Sequence, residues 1–340
     1  MPSSDFPMSL SLEEAQQRVV SICKSRQLAI DTIPLQVAVG RVLAEDALAR
    51  DDIPAFDNSA MDGFAVRGED LPCEGEARFQ VMETLLAGHV TQRVLGVGQC
   101  MRIMTGARMP NGADTVVIKE RVRVEANIAV IGAGERQGSN VRPRGEEMLA
   151  GQLAVGRGQR IRATHASLLA SLGMDRVRVF RQPRASIIST GDELVMPGQS
   201  CSGAQIYNSN GFGLAALLGG AGAQLDRADE SPDGLPFRHV ADDREQLRCA
   251  LLDAARASEV VITSGGVSAG EADHLPGLVR ELGQVHFWKV RLRPGMPFLF
   301  GEIEGALLFW LPGNPVSSLV TFQSLVRPAP QCFERKSQRN

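Results

Sequence analysis

Ile187-Ile188-Ser189-Thr190-Gly191-Asp192-Glu193 reads as a buried strand running into a glycine turn, and this grammar decides the fold because it recurs twice downstream. Val260-Val261-Ile262 leads into Thr263-Ser264-Gly265-Gly266, and Leu307 to Leu311 leads into Pro312-Gly313-Asn314-Pro315. Among these strands the spacing predicts helices over about 209–218, 242–256, 275–282 and 315–326, with Leu247, Leu251, Leu252 and Ala255 on one face of the second. Strands alternating with helices from residue 185 onward predict a mostly parallel sheet covered on both faces.

Upstream, the pattern is different. Between about Phe64 and Ile131 the apolar residues alternate, as in Phe79/Val81, Ile103, Val116/Ile118, Val122/Val124 and Ile128/Val130, which predicts an all-β unit. Ser11-Leu12-Glu13-Glu14 has the capping-box form, and Ala15, Val19 and Ile22 follow at helical spacing, so 11–25 is expected to be a helix. Leu35 to Leu48 reads as strand-like, and the turn formers from Asp51 to Ser59 as a loop. Gly132 to Gly158, a short helix over 164–172 stopped by Gly173, and a strand around Val177 and Val179 read as connecting structure. The expected organisation is a helix in 1–27 packing on the α/β domain, a connector from 28–50 and 148–182, a β-rich middle domain over 51–147, the α/β domain over 183–328, and a tail over 329–340.

With 340 residues, 44% of them hydrophobic and 22% charged, the chain is long enough for two or more cores and has ordinary globular composition. A net charge of -3 argues against a protein that grips nucleic-acid phosphate or an acidic membrane. The 6 cysteines lie far apart with no C-x-x-C pair, so neither a disulfide framework nor a zinc knuckle is expected. The start of the chain has no basic-then-apolar export pattern, and the glycine-rich stretch Phe212 to Ala223 is too short to span a membrane. A cytoplasmic protein with a small-molecule partner is the expectation.

Parallel strands end at one edge, so Ser189 to Glu193, Thr263 to Gly270 and Pro312 to Ser318 should line one crevice. Small residues there let the backbone approach a phosphate, and helix-start N–H groups favour an anion. None of the loops is a Walker A sequence or carries G-x-G-x-x-G. The acidic residues Asp192, Glu193, Asp242, Asp243, Glu271 and Asp273 lie in or beside them, and carboxylates in a phosphate site imply a bridging hard cation, Mg2+. Asp242 fits a helix N-cap equally, and Asp192 a turn residue. Lys289, Arg291 and Arg293 alternate, which puts three cations on one strand face, either toward an anion or toward solvent. No nucleophile elbow occurs, and His274 and His286 read as structural.

Taken together, Asn58 to Val66, Met104-Thr105-Gly106-Ala107, Val141 to Glu147, Ser189 to Leu194, Thr263 to Asp273 and Leu311 to Ser317 closely resemble the MoeA family. These are molybdopterin molybdenumtransferases, related to the E domain of gephyrin, and the resemblance runs over about residues 10–328. It implies a MogA-like α/β domain and a reaction in which adenylated molybdopterin and molybdate give molybdenum cofactor and AMP with Mg2+. It also implies a homodimer whose cleft takes the sheet loops from one subunit and the β-rich domain from the other. Further implied partners are the molybdopterin adenylyltransferase and molybdoenzyme acceptors. The positions carried over as catalytic are Asp62, Thr105, Arg142, Glu147, Glu193, Asp242 and Asp273, of which Glu193, Asp242 and Asp273 would hold the metal. Substrate binding would fall to Thr190, Gly191, Asp192, Ser264, Gly265, Gly266 and Ser268, with Lys289, Arg293, Pro312, Gly313, Asn314 and Ser317.

This sequence departs from the family pattern at several points. Glu147 stands at an Asp position, Arg293 at a Lys position, and Met296 where many relatives have a Lys. Relatives continue past the equivalent of Val326 to Ala329 into a small C-terminal β domain, where this sequence has a dissimilar tail. The competing expectations are a catalytically impaired molybdopterin-binding scaffold, and a nucleotide-processing enzyme of the same fold such as the adenylyltransferase or a CinA-like pyrophosphatase.

Overall fold

Ala306–Leu311 is buried at every position, which a strand achieves only when both faces of its sheet are covered. The side chains divide with period two: Leu307, Phe309 and Leu311 enter one apolar core, and Ala306, Leu308 and Trp310 enter another. Burying each large side chain stabilises by about 1.5–3 kcal/mol, so the strand ties two helix layers together.

The computed structural model describes residues 7–26, 28–225, 234–265 and 274–333. The chain divides into two units, one formed by Met1–Glu45, Arg157–Ala166 and Asp175–Asn340, the other by Asp46–Gly156 and Ser167–Met174. The segments expected as a connector contribute to both.

The first unit is built on an 8-stranded sheet in the order Met8–Leu10, Gly283–Val290, Leu299–Ile303, Ala306–Leu311, Val260–Ser264, Arg184–Thr190 and Gln224–Leu225, with Arg238–Val240 also pairing Arg184–Thr190. The strands Arg184–Thr190, Val260–Ser264 and Ala306–Leu311 are parallel neighbours, while Leu299–Ile303 is antiparallel to both its partners. On one face lie Leu214 and Leu218 of the helix Ser209–Gly220, Phe322, Leu325, and Ala15 and Val19 of the helix Leu12–Lys24. On the other lie Leu247 and Leu251 of the helix Arg244–Ala257, and Leu278 and Val279 of the helix His274–Leu282. This is the α/β architecture the strand-turn-helix grammar predicts. The predicted capping box is present: Ser11 Oγ accepts from Glu14 N at 3.1 Å, and Glu14 Oε2 accepts from Ser11 N at 2.8 Å.

The second unit holds a 6-stranded sheet in the order Thr115–Ile118, Gly63–Val66, Gln99–Ile103, Glu76–Leu85, Ile128–Gly132 and Val122–Glu125. Its two faces bury Ala65, Met101, Ile103 and Val116 in one cluster, and Phe64, Val66, Phe79 and Val117 in another. The alternation between 64 and 131 is this sheet.

Three expectations need correction. The strand-like stretch 35–48 is extended only in its second half, with bridges at Val42 and Leu43 and a strand at Ala47–Leu48, and a further strand lies before it at Ile30–Pro34; Leu35–Val37 is a helical turn, and Val37 and Val39 are exposed, so their alternation reports no buried face. The helix expected over 315–326 is α-helical only over Pro315–Thr321, passes through a wider turn at Phe322–Val326, and is followed by a helix Pro328–Phe333 that enters the expected tail. Lys289, Arg291 and Arg293 do not share a strand face. The strand ends at Val290, and Lys289 sits at φ 65°, which breaks the alternation.

The described cysteines Cys23, Cys73, Cys100, Cys201 and Cys249 form no disulfide, and burial pushes the Cys100 thiol up to about 12. Among the described residues no helix is long and apolar enough to cross a membrane.

Candidate functional site

Sheet register sets where the three loops begin. Ser189 pairs with Ser264, and Ser264 with Leu311, so the strands feeding the loops end on one row; His239, beside Ser189, extends that row toward Asp242. The acidic loops are interlocked across it: Asp242 N donates to Asp192 Oδ1 at 3.1 Å, and Asp192 N donates to Asp242 Oδ2 at 3.4 Å. Asp242 is not the helix cap. Asp243 takes that role, accepting from Gln246 N at 2.8 Å, and Asp242 is left exposed next to Asp192. Glu193 folds back so that its carboxylate lies over Gly191, which has φ 139° and tolerates the approach because it lacks a Cβ.

In the second loop, Gly265 has φ 103° and lies so close to Thr190 that a Cβ would strike the Thr190 carbonyl oxygen. Trp310 Nε1 pins the same glycine by donating to its carbonyl at 2.8 Å. Thr190 Oγ1 is buried and has no partner among the described residues. In the third loop, Asn314 Oδ1 accepts from Val316 N at 3.0 Å and Ser317 N at 3.2 Å, so it caps the helix Pro315–Thr321 and occupies the N–H groups expected to face an anion. Pro312 is buried and Gly313 exposed at the start of this loop. Lys289 Nζ lies 5.6 Å over the Trp288 ring, Arg291 is 3.8 Å from Glu14, and neither Lys289 nor Arg293 is ion-paired among the described residues. Gly266, Ser268 and Asp273 lie outside the described residues.

Two asparagines that the sequence reading passed over tie the loops together. Asn208 is buried, caps the helix Ser209–Gly220 by accepting from Gly211 N at 3.1 Å, and donates from Nδ2 to Ser189 Oγ at 2.8 Å. Asn210 Nδ2 lies 2.8 Å from both Ser264 Oγ and the Gly313 carbonyl oxygen. The cap half of this was available as Asn208-Ser209-Asn210 ahead of an apolar helix; the reach to other loops was not.

The β-rich unit gathers its own group of predicted residues. Asn58–Ser59 pairs with Val141–Arg142, Ser59 N donates to the Ala107 carbonyl at 3.0 Å, and Gly106 N to the Ser59 carbonyl at 2.8 Å, so three motifs distant in sequence become neighbours. Asp62 Oδ1 accepts from Thr105 N at 3.0 Å and Thr105 Oγ1 at 2.8 Å, and Lys119 Nζ is 3.3 Å from Asp62 Oδ2. Lys119 was also missed, since nothing in its spacing marks it. The Thr105 backbone and hydroxyl, then Lys119, hold the Asp62 carboxyl down to about 2, below the ordinary 3.8. The stabilising link is therefore complete above the ordinary value and lost as pH falls through about 2. A carboxyl-carbon NMR titration is expected to place the Asp62 midpoint near 2; a midpoint at 3.8 or higher would mean the carboxylate is not held. Arg142 and Glu147 are exposed, Arg142 paired in backbone to Asn58 and Glu147 N donating to the Ile53 carbonyl at 2.9 Å.

Exposed carboxylates offer only hard oxygen donors, the type Mg2+ takes, and Asp242 Oδ1 has no partner among the described residues. The donor type of Asp192, Glu193 and Asp242 fits the ion, although no group of three possible ligands is assembled among the described residues.

Two family models match the chain, MoeA N-terminal region (domain I and II) at 10–173 and probable molybdopterin binding domain at 186–331. The Haemophilus influenzae protein molybdopterin molybdenumtransferase is 36% identical over 324 residues, 94% of this chain and 76% of that protein. The chain belongs to the MoeA family. A Staphylococcus aureus protein of the same description is 33% identical over 94% of this chain and 75% of its own length. Two crystal structures of the molybdopterin biosynthesis MoeA protein from Pyrococcus horikoshii match with a TM-score of 0.80, at 31% and 26% identity, over 97% of this chain and 81% and 80% of theirs. Both family models fall where the sequence motifs do, the MoeA N-terminal region over the β-rich sheet and the molybdopterin binding domain over the aligned loops.

Proposed function

We propose that the chain is a molybdopterin molybdenumtransferase of molybdenum cofactor biosynthesis, which takes adenylated molybdopterin and molybdate and releases AMP. The observation that carries this reading is the row of strand ends Ser189, Ser264 and Leu311, with the interlocked Asp192 and Asp242 beside it. The loops leaving that row bind the diphosphate of the adenylated pterin. Glu193, Asp242 and Asp273 would hold Mg2+, which when bound would neutralise the charge on the leaving AMP. Lys289 and Arg293, free of carboxylate partners among the described residues, attract the molybdate dianion. The dithiolate sulfurs of the pterin, soft ligands, accept the metal. Asp62 fixes Thr105 and Lys119 as a polar cluster on the β-rich unit, and Arg142 and Glu147 are the further catalytic residues on that unit. The enzyme works as a cytoplasmic homodimer.

The test is incubation with adenylated molybdopterin, molybdate and Mg2+, with AMP and metal-loaded cofactor followed by chromatography. AMP release that depends on both molybdate and Mg2+ is expected. Tight pterin binding without AMP release would instead favour a scaffold that stores the cofactor.

A further inference from the structure

We infer that Asn210 is a positioning residue that locks the second and third loops into one unit, acting through Ser264, and that Ser264 serves in this lock rather than touching the substrate. The inference rests on the transferase reading above and deepens it, because it names what sets the spacing of two of the three diphosphate loops.

The hydrogen-bond chemistry at Asn210 is fixed by its partners. A peptide carbonyl only accepts, so the Asn210 atom 2.8 Å from the Gly313 carbonyl oxygen is the amide nitrogen. One N–H goes to Gly313 O, and the other to Ser264 Oγ, also at 2.8 Å. Because its oxygen accepts that hydrogen bond, the Ser264 hydroxyl turns its own hydrogen toward the Pro312 carbonyl oxygen, 3.4 Å away. The chain Asn210, Ser264, Pro312 thus closes a ring with Gly313 across two loops. Ser264 is only 1% exposed, which suits a buried link and not a ligand contact.

The asparagine is itself held in place. Asn208 caps the same helix start and is bonded to Ser189, at the end of the first loop's strand. Gly211 follows Asn210, and a Cβ there would come within 2.7 Å of the Phe237 ring, so the helix start sits flush against an aromatic wall. One short stretch, Asn208 to Gly211, therefore reaches all three loops.

A lock predicts two phenotypes that a direct contact does not. Asn210→Ala and Ser264→Ala are each expected to raise KM for adenylated molybdopterin by roughly tenfold to a hundredfold, the cost of misplacing binding groups, with kcat within about twofold. The double variant should be no worse than the worse single one, because both remove the same tie. Asn210→Asp is nearly isosteric but presents oxygen to the Gly313 carbonyl, so it should match or exceed the alanine loss.

The experiment measures KM, kcat and thermal melting for the wild type, the three single variants and the Asn210→Ala/Ser264→Ala pair. Non-additive KM losses support the lock. Additive losses, a larger loss for Ser264→Ala than for Asn210→Ala, or wild-type KM in Asn210→Asp would overturn it. A well-folded wild type that neither binds the adenylated pterin nor releases AMP would overturn the transferase reading, and this inference with it, a result distinct from additivity.

Discussion

Gly265→Ala is expected to abolish measurable binding of adenylated molybdopterin and to lower the melting temperature. The position has φ 103°, and a methyl group there would collide with the Thr190 carbonyl oxygen, a backbone atom on a buried strand with no freedom to withdraw. Trp310 holds the Gly265 carbonyl from the other side at 2.8 Å, so the loop cannot slide away without losing that bond as well. Strain of this kind costs about 1–3 kcal/mol before any clash is counted. With the displaced carbonyl included, a fall on the order of 5–10 °C follows for a unit of this size. Thermal denaturation and equilibrium binding check both parts. A variant that melts within about 1 °C of the wild type and binds normally would show that the second loop does not need this close approach.

Asp242→Asn should leave the fold intact and still reduce AMP release by about 10- to 100-fold, the range in which changes around metal ligands cost activity. The substitution keeps an oxygen to accept from Asp192 N and leaves the Asp242 backbone bond to Asp192 Oδ1 untouched, so the interlock of the two loops survives. What it removes is a negative charge on an exposed carboxylate beside the aligned loops. Turnover as a function of Mg2+ is the informative measurement: the half-saturating Mg2+ should rise along with the loss of rate. Unchanged turnover at every Mg2+ concentration would remove Asp242 from the chemistry.

The parallel sheet and its loop edge were legible in sequence because each strand is a short apolar run that ends in glycine, and burial on both faces leaves little else that such a run can be. The β-rich unit was legible in part for the complementary reason, since Phe79/Val81 and Val122/Val124 alternate with polar neighbours, whereas Gly63–Val66 and Ile128–Gly132 are runs of small and apolar residues buried on consecutive positions. Periodicity failed where burial and alternation part company. Val37 and Val39 alternate but face solvent, and Lys289 takes a left-handed backbone conformation that no spacing rule announces.

The site was legible at the level of motifs and not of partners. Sequence placed Asp62 and Thr105 among the important residues, yet their bond depends on Ser59 and Ala107 meeting across the unit, which is long-range geometry. Asp242 and Asp243 are adjacent acids of equal capping ability, and only the helix start at Arg244 decides between them. Asn208 and Asn210 act on residues 19, 54 and 103 positions away, beyond any local signal.

The helix Leu12–Lys24 buries Ala15, Val19 and Cys23 in a core completed by Phe322, Leu325 and Val326. During synthesis the helix Leu12–Lys24 emerges some three hundred residues ahead of these docking partners. At roughly 5–20 residues per second, an oily stripe stays bare for about fifteen seconds to a minute. The intervening β-rich unit can finish folding in that time, but the α/β unit cannot close until its last helices leave the ribosome. Until then the apolar stripe of Leu12–Lys24 is open to chaperones, and slowing translation anywhere between this helix and Phe322 should lengthen that exposure.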